Sequence, residues 1–196
     1  MRKLSASLAL VGSLVVLAGF AEAQKNAESS DAQYIAQAMS AAPKSVAKDA
    51  TIIRMDESGK TTTLRKGTNG FSCMVVRGEK MCADANSQAF FDAWMKKQPP
   101  PDKLGLTYML AGDDGASNTD PFSMTKTADN HWVVTGPHVM IVGPAAKSLA
   151  LASTADVDPS APFMMWAGTP YEHAMIPIAP PKTIKPAMAK NDEMKK

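Results

Sequence analysis

Length, composition and charge exclude some classes of protein at the outset. The chain has 196 residues, 45% of them hydrophobic, and a formal net charge of +2 at pH 7, which is enough for one ordinary domain with a core. Residues 1–23 carry one excess positive charge and residues 179–196 carry three, which leaves residues 24–178 near −2. A nucleic-acid-binding protein needs a concentrated basic surface, so we expect no nucleic-acid partner.

The first 23 residues have the pattern of a cleaved signal peptide. The basic start Arg2-Lys3 precedes an apolar run at residues 8–20 that is too short for a membrane span. Ala21-Glu22-Ala23 is a small-x-small site and predicts cleavage after Ala23. Phe20 stands where a lipoprotein signal would have cysteine. We therefore expect a periplasmic protein without a lipid anchor, and no membrane span in its mature chain.

Two polar segments flank the predicted domain. Residues 24–48 are alanine-rich, and Ser-Ser-Asp at 29–31 could cap a short helix that Pro43 stops. The apolar face of that helix is thin, so the segment is either an N-terminal arm or a short helix. From residue 179 to 196, proline, lysine and polar residues predict a disordered tail. Residues 49–178 remain as a single domain.

The first half of the domain is rich in strand signals. TIIRM and TTTLRK are β-branched and are separated by the turn ESGK. The turn GTNG then leads into FSCMVV, so we expect an antiparallel meander. ANSQAFFDAWMKKQ, at residues 85–98, is the best helix candidate. Asn86 or Ser87 would cap it, and the prolines that follow would end it.

The second half contains further short strands. LGLTYMLA predicts a buried strand, GDDGASNTDP a loop, and HWVV and HVMIV two strands. Pro144 can open a short helix, and FMMWAG and TPYEHAMIPI complete the predicted elements. Roughly seven or eight short strands and two or three helices, without regular crossovers, indicate an α+β fold. We predict a single domain with a mainly antiparallel sheet.

The two cysteines, Cys73 and Cys82, are predicted to form a disulfide. An even count in an exported protein favours a bridge, and MVVRGEKM between them has the pattern of a hairpin. With residues 76–79 as a four-residue loop, Met74 faces Met81 and Cys73 faces Cys82, close enough to bridge. A C-x-x-C motif would favour a redox pair, and the chain has none.

His-x-Met-Ile occurs twice, starting at His138 and at His173. Residues two apart in a strand share a face. Each strand would then have one wholly apolar face, which we assign to the core, and one face with an imidazole and a thioether. If the strands are neighbours, His138, Met140, His173 and Met175 converge. This soft ligand set favours Cu(I), so copper is the candidate cofactor, although none is established by the sequence.

The same residues have a simpler interpretation as core packing. Methionine fills gaps in cores, and fourteen methionines occur in the chain. The leading functional hypothesis is a non-enzymatic binding or accessory protein of the periplasm, with unknown ligand and partners. Its soft-metal version uses the two His-x-Met segments.

The rival hypothesis is a small hydrolase-like enzyme using His173 and the acidic loop at residues 113–120. The sequence has no G-x-S-x-G, H-E-x-x-H or phosphate-binding loop. Oxygen ligands suited to calcium lie in the loop, but their spacing does not match an EF-hand, and the same residue types form turns unaided. They are Asp113, Asp114, Asn118 and Asp120.

Four stretches resemble exported proteins of Gram-negative bacteria: GTNGFSCM, TYMLAGDDGASNTDPF, TGPHVMIVGP and MMWAGTPYEHAMIPI. Together they span roughly residues 42–178. The family they resemble is uncharacterised and carries no established activity. The resemblance implies a periplasmic location and one domain, and it transfers no catalytic residue.

Overall fold

A computed structural model describes residues 30–56 and 58–181 of the chain. The predicted signal peptide, its cleavage site and residues 182–196 of the predicted tail lie outside these residues. Within them, residues 30–39 form helix α1. The other elements are, in chain order, α2 (Lys44–Ala47), β1 (Thr51–Met55), β2 (Thr61–Arg65), β3 (Phe71–Val76), β4 (Glu79–Asp84), α3 (Ala85–Met95), β5 (Gly105–Met109), β6 (Ala116–Ser117), β7 (Trp132–Val133), β8 (His138–Val142), a 3-10 helix (Pro144–Leu149), β9 (Phe163–Met165) and β10 (His173–Pro177).

Eight of the ten described strands form one sheet in the order β2-β1-β3-β4-β5-β8-β10-β9, and β6 pairs with β7. Every pair is antiparallel except β1 with β3. The chain is therefore a single sheet-rich, mainly antiparallel domain of broadly α+β type, as predicted. The described residues hold more strands and more helices than expected. One added strand, β6, lies inside the stretch predicted to be a loop.

The predicted meander is wrong at one pair, because β1 lies parallel to β3. The loop after β2 crosses the start of β1, where the Thr68 amide donates to the Asp49 carbonyl over 2.8 Å. Gly67 makes this crossing close, since a Cβ there would collide with the backbone of Ala50 and Thr51. The chain thus enters β3 on the far side of β1 instead of pairing with β2.

The β3–β4 hairpin has the predicted register. Cys73 lies opposite Cys82 and Met74 opposite Met81, and the cysteines form a disulfide with an S–S distance of 2.04 Å. The loop is two residues long rather than four, because pairing continues to Val76 and Glu79. Its residues, Arg77 and Gly78, have φ values of 52° and 88°, as a type I′ hairpin turn requires.

Helix α3 begins one residue after β4, and its cap differs from the prediction. Asp84, rather than Asn86 or Ser87, is the N-cap residue, and its carboxylate accepts from the Ser87 amide over 2.8 Å. The other oxygen of that carboxylate accepts from the Leu106 amide over 3.0 Å. The Asp84 side chain therefore bonds a backbone N–H that has no partner within the first turn of the helix, and it connects the start of the helix to β5.

Both faces of the sheet are covered. On one face, Phe90 of α3 packs with Met140 and Val142 of β8 in the largest core cluster. On the other, Ala38 of α1 packs with the disulfide, while the 3-10 helix covers β8 and β10. The Tyr34 hydroxyl of α1 bridges two strands, donating to the Ile53 carbonyl and accepting from the Val75 amide, each over 3.0 Å. None of the described helices is long and apolar enough to cross a membrane.

The crossing loop yields a stability prediction. Gly67→Ala should lower the free energy of unfolding by about 1–3 kcal/mol, because the added methyl forces the loop off the backbone of β1. Urea denaturation measures the change. Thr68→Ala, at an exposed position in the same loop, is the matched control and should stay within about 0.5 kcal/mol of the parent. Equal effects from both substitutions would contradict the crossing.

Candidate functional site

The two His-x-Met segments lie on neighbouring antiparallel strands. In the register of β8 and β10, Met140 is directly opposite Met175 and His138 is opposite Pro177. All four predicted ligands therefore share one face of the sheet. The faces meet, as the soft-metal hypothesis requires.

That face is the opposite of the one assigned to the core. His138, Met140, His173 and Met175 are all buried, with His138 at 0% and His173 at 1% exposure. The predicted apolar face of each strand does pack in a core cluster, but the His-Met face is covered as well and is the more deeply buried of the two. Ile141 and Ile176 pack under the 3-10 helix, whereas Met140 and Met175 join the largest core cluster.

The register separates the two imidazoles. Each histidine lies two residues before its methionine, His173 before Met175 on β10 and His138 before Met140 on β8, and the two strands run in opposite directions. Antiparallel pairing with methionine opposite methionine places the histidines at opposite ends of the row, with Cα atoms about 14 Å apart. The structure brings the two methionines together and does not bring the two histidines together.

Each histidine bonds a backbone carbonyl two residues earlier. The Nδ1–H of His138 donates to the Gly136 carbonyl over 2.7 Å, and that of His173 donates to the Tyr171 carbonyl over 2.9 Å. Burial lowers the pKa of His138, and it lowers the pKa of His173 to about 4. Both rings are therefore neutral at pH 7.

The second predicted feature, the acidic loop, borders a cavity of about 360 Å³. The Asp113 carboxylate accepts a hydrogen bond from the Thr135 amide over 2.8 Å. The backbone amide of Asp113 donates to the Thr135 carbonyl over 3.0 Å. Across the cavity, the Glu79 carboxylate accepts from the Asp114 amide over 3.4 Å. The lining consists of Gly78, Glu79, Lys80, Ala111, Gly112, Asp113, Asp114 and Val134.

Two of the carboxyl groups in this cavity, those of Asp113 and Glu79, have raised pKa values. Burial raises the pKa of Asp113 to about 7; the Thr135 amide opposes the rise, and the charges of Glu79 and Asp114 add to it. Burial also raises the pKa of Glu79, to which Asp114 again contributes. A perturbed acid in a cleft is a recognised marker of a functional site. The cavity is therefore the candidate site.

The side chains of Asp120 and Asn118 bond to backbone groups. Asp120 accepts from the Phe122 amide over 2.9 Å, and the Asn118 amide group donates to the Thr154 and Ala155 carbonyls over 3.0 and 2.8 Å. The described residues contain no group of three or more His, Cys, Asp or Glu side chains placed to hold a metal ion. The Asp120 contact is that of a turn, as predicted, whereas Asn118 ties the loop to a segment that is distant in the chain.

The geometry does not assemble the hydrolase-like site. His173 packs against Trp166 and Phe90, with ring centroids 4.9 and 5.9 Å away, and it is not among the residues that line the acidic cavity. The cavity wall carries no serine, threonine, cysteine or histidine. His173 therefore does not face the acidic cavity, although Trp166, which packs on its ring, donates its indole N–H to the Ser117 carbonyl of the 113–120 loop over 2.8 Å.

Two residues of interest were missed in the sequence. Glu79 reaches the acidic loop only because the β3–β4 turn folds beside it, 35 residues away in the chain. Met109 lies opposite His138 in the pairing of β5 with β8. Neither position has a local sequence signal, since both depend on which strands pair.

No protein-family model, curated protein or solved structure matches this chain.

The Asp113 environment predicts a pH-dependent stability. Between about pH 4 and about pH 7 the Asp113 carboxyl group keeps its proton in the folded state and has lost it in the unfolded state. The free energy of unfolding therefore falls as the pH rises through this window. At about 1.4 kcal/mol per pH unit the loss is at most about 4 kcal/mol, and solvent at the cavity reduces it. Asp113→Asn keeps the acceptor for Thr135 and should abolish this part of the decline.

Urea denaturation of the parent and of Asp113→Asn at intervals from pH 4 to pH 8 tests this. The stability advantage of the variant should grow up to about pH 7 and then level off. Asp129→Asn, at an exposed position, is the control. Parallel curves for the parent and Asp113→Asn would show that Asp113 titrates normally.

Proposed function

We propose that this chain is a periplasmic binding protein, and that the acidic cavity holds a small organic cation. One observation carries the proposal. Asp113 is a half-buried carboxyl group, with a pKa of about 7, that shares a cavity with Glu79 and Asp114. A cavity of this volume lies in the range of small-molecule sites.

Electrostatics favours a positive ligand. Burial and mutual repulsion penalise the ionised forms of Glu79 and Asp113, and an opposite charge nearby relieves both penalties. Of the lining residues only Lys80 is basic, against three acids. A bound cation would therefore stabilise the ionised carboxylates, whose charges are otherwise unfavourable in this half-buried place.

The form of the site favours an ammonium group over a metal ion. The cavity carboxylates do not belong to any metal-binding group of three among the described residues. A protonated amine has three donors and needs no fixed coordination geometry. Gly78 leaves one side open, since nothing lies within 4 Å of the position its Cβ would occupy. An aliphatic chain that carries the amine could extend through this opening.

The lining is suited to binding, and it lacks the hydroxyl or thiol nucleophile that the hydrolase-like alternative would use. Acid–base work needs a proton acceptor within hydrogen-bond reach of the reacting group, and Asp113 could supply that function. Covalent catalysis also needs a nucleophile, and the wall offers carboxylates but no serine, threonine or cysteine. We therefore favour a binding or accessory role over the hydrolase-like alternative.

The periplasmic part of the proposal rests on two observations. The first 23 residues have the pattern of a signal peptide. The Cys73–Cys82 disulfide is of a kind that persists in oxidising compartments and is rare in the cytosol.

A diamine is a suitable first probe. In the full chain at pH 8, 1,4-diaminobutane should shift the amide NMR signals of Gly78, Gly112 and Val134, whereas 1,4-butanediol, of similar size but neutral, should not. Asp113→Asn should weaken diamine binding about tenfold or more, since a buried charge pair is lost. Affinity for the parent should fall below about pH 7, because the carboxyl group must give up its proton to pair with the amine.

Asp129→Asn serves as the charge-matched control, because it removes one negative charge at an exposed position. Equal weakening by Asp129→Asn and Asp113→Asn would mean that only the net charge of the protein attracts the diamine. Equal shifts with the diol would mean that the cavity does not recognise charge. Either result rejects the cation site.

Export gives a separate prediction. Expressed with its own first 23 residues in a Gram-negative host, the protein should be recovered from the periplasm with Gln24 as its first residue. Ala23→Phe should block cleavage and leave the longer form, because the cleavage site requires small side chains. Mass spectrometry of fractionated cells distinguishes the two forms. A parent protein that stays uncleaved in the cytoplasm would reject the periplasmic placement.

A further inference from the structure

His138 has a ring nitrogen that the fold leaves unsatisfied. The residue is 0% exposed, and within the described part of the chain its Nε2 atom has no hydrogen-bond partner. Buried polar atoms normally have partners, and each exception calls for an explanation. This one lies outside the acidic cavity and takes no part in the function proposed for it.

The hydrogen bond on the other side of the ring defines what Nε2 can do. Nδ1 carries the proton, because it donates to the Gly136 carbonyl. In a neutral ring Nε2 then bears a lone pair, and burial lowers the pKa of His138, which favours the neutral form. Histidines that bind metals typically donate the opposite ring N–H to a carbonyl in this way.

Three methionines are neighbours of His138 on the same face of the sheet. Met109 lies directly opposite His138 on β5, and Met140 lies two residues along β8. Met175, opposite Met140 on β10, is the diagonal neighbour of His138. All three methionines belong to one buried cluster. Within the described residues, these thioethers are the soft metal-binding groups that the strand pairing places on the same face as His138.

We propose that His138, Met109 and Met140 form a buried site for a soft monovalent cation, Cu(I). One imidazole nitrogen and two thioethers are soft, uncharged ligands that favour Cu(I). Zinc sites instead use thiolate, carboxylate or several imidazoles. Met175 is the nearest further thioether. His173 is outside the site, since it lies at the other end of the row.

The position of the site in the fold provides a route for the ion. The row of Met109, His138 and Pro177 is the last paired row at this end of β5, β8 and β10. Loops follow at once: Gly112 packs on Gly136, whose own neighbour is Pro180. Local opening of these loops would expose His138 without unfolding the sheet. This inference does not rest on the cation-binding function, because the two sites share no side chain.

Cu(I) titration of the full chain tests the site. Cu(I) is delivered without oxygen in competition with a coloured chelator, and ascorbate replaces thiol reductants so that the Cys73–Cys82 disulfide stays closed. A thiol-reactive dye confirms that no cysteine is free. One equivalent should bind to the parent. Met109→Leu and Met140→Leu, which preserve volume, should each weaken binding about tenfold or more.

Met164→Leu is the matched control. Met164 is as buried as Met109 but lies on the opposite face of the sheet, in the cluster under the 3-10 helix. It should leave Cu(I) affinity unchanged. The ¹⁵N NMR spectrum of the three histidines should show that Cu(I) shifts Nε2 of His138 while the rings of His131 and His173 keep their signals.

Several outcomes would overturn the inference. These are no binding to the parent, equal loss in all three leucine variants, no loss in Met109→Leu or Met140→Leu, and a shift confined to the ring of His173. Binding that appears only after the disulfide is reduced would assign the metal to the cysteines and also reject the site. Diamine binding is measured separately, so failure here leaves the function of the cavity untouched.

Discussion

The pairing of β8 between β5 and β10 is the constraint on which the rest of the structure depends. Because side chains alternate along a strand, a shift of one residue in this register would exchange the two faces of β8. His138, Met140 and Val142 would then move from the α3 side to the side of the 3-10 helix. The observed register places all three in or beside the largest core cluster. Burial of Val142 and Met140 on one face and of Ile141 on the other holds it there.

The same register fixes the position of the acidic cavity. β5 ends at Met109, opposite the first residue of β8, so the chain after β5 and the chain before β8 leave the sheet side by side. Asp113 joins these two segments through both hydrogen bonds to Thr135. Gly112 allows the close approach, since it has a φ of 76° and a Cβ there would lie 3.0 Å from the Thr135 carbonyl oxygen. The carboxyl group is thus held in a half-buried place by backbone contacts, and its raised pKa follows from that placement.

Local patterns in the sequence predicted the elements better than their arrangement. β-branched runs located β1 and β2, and the Arg77-Gly78 turn located the hairpin that carries the disulfide. Each of these depends on residues close together in the chain. The parallel pairing of β1 with β3 depends on how a loop crosses a strand, which no run of residues encodes locally. The more deeply buried face of β8 was misjudged because the alternation of residue types along a strand distinguishes its two faces but does not show which elements cover each face. Glu79 was missed because only a contact between distant parts of the chain brings it to the acidic loop. Met109 was missed because only the pairing of β5 with β8 places it opposite His138.

The two buried histidines differ in what compensates their burial. His173 lies edge-on to Trp166 and Phe90, and such aromatic contacts contribute about 0.5–1.5 kcal/mol each beyond burial. His138 has no aromatic ring partner among the described residues. Its bond to Gly136 is worth about 0.5–1.5 kcal/mol, whereas a buried atom without a partner costs about 1–3 kcal/mol. Stability alone therefore gives no reason for an imidazole at position 138, where an apolar side chain would avoid the cost. A ligand that bonds to Nε2 would remove this cost, which is why the proposed Cu(I) site includes His138 and not His173.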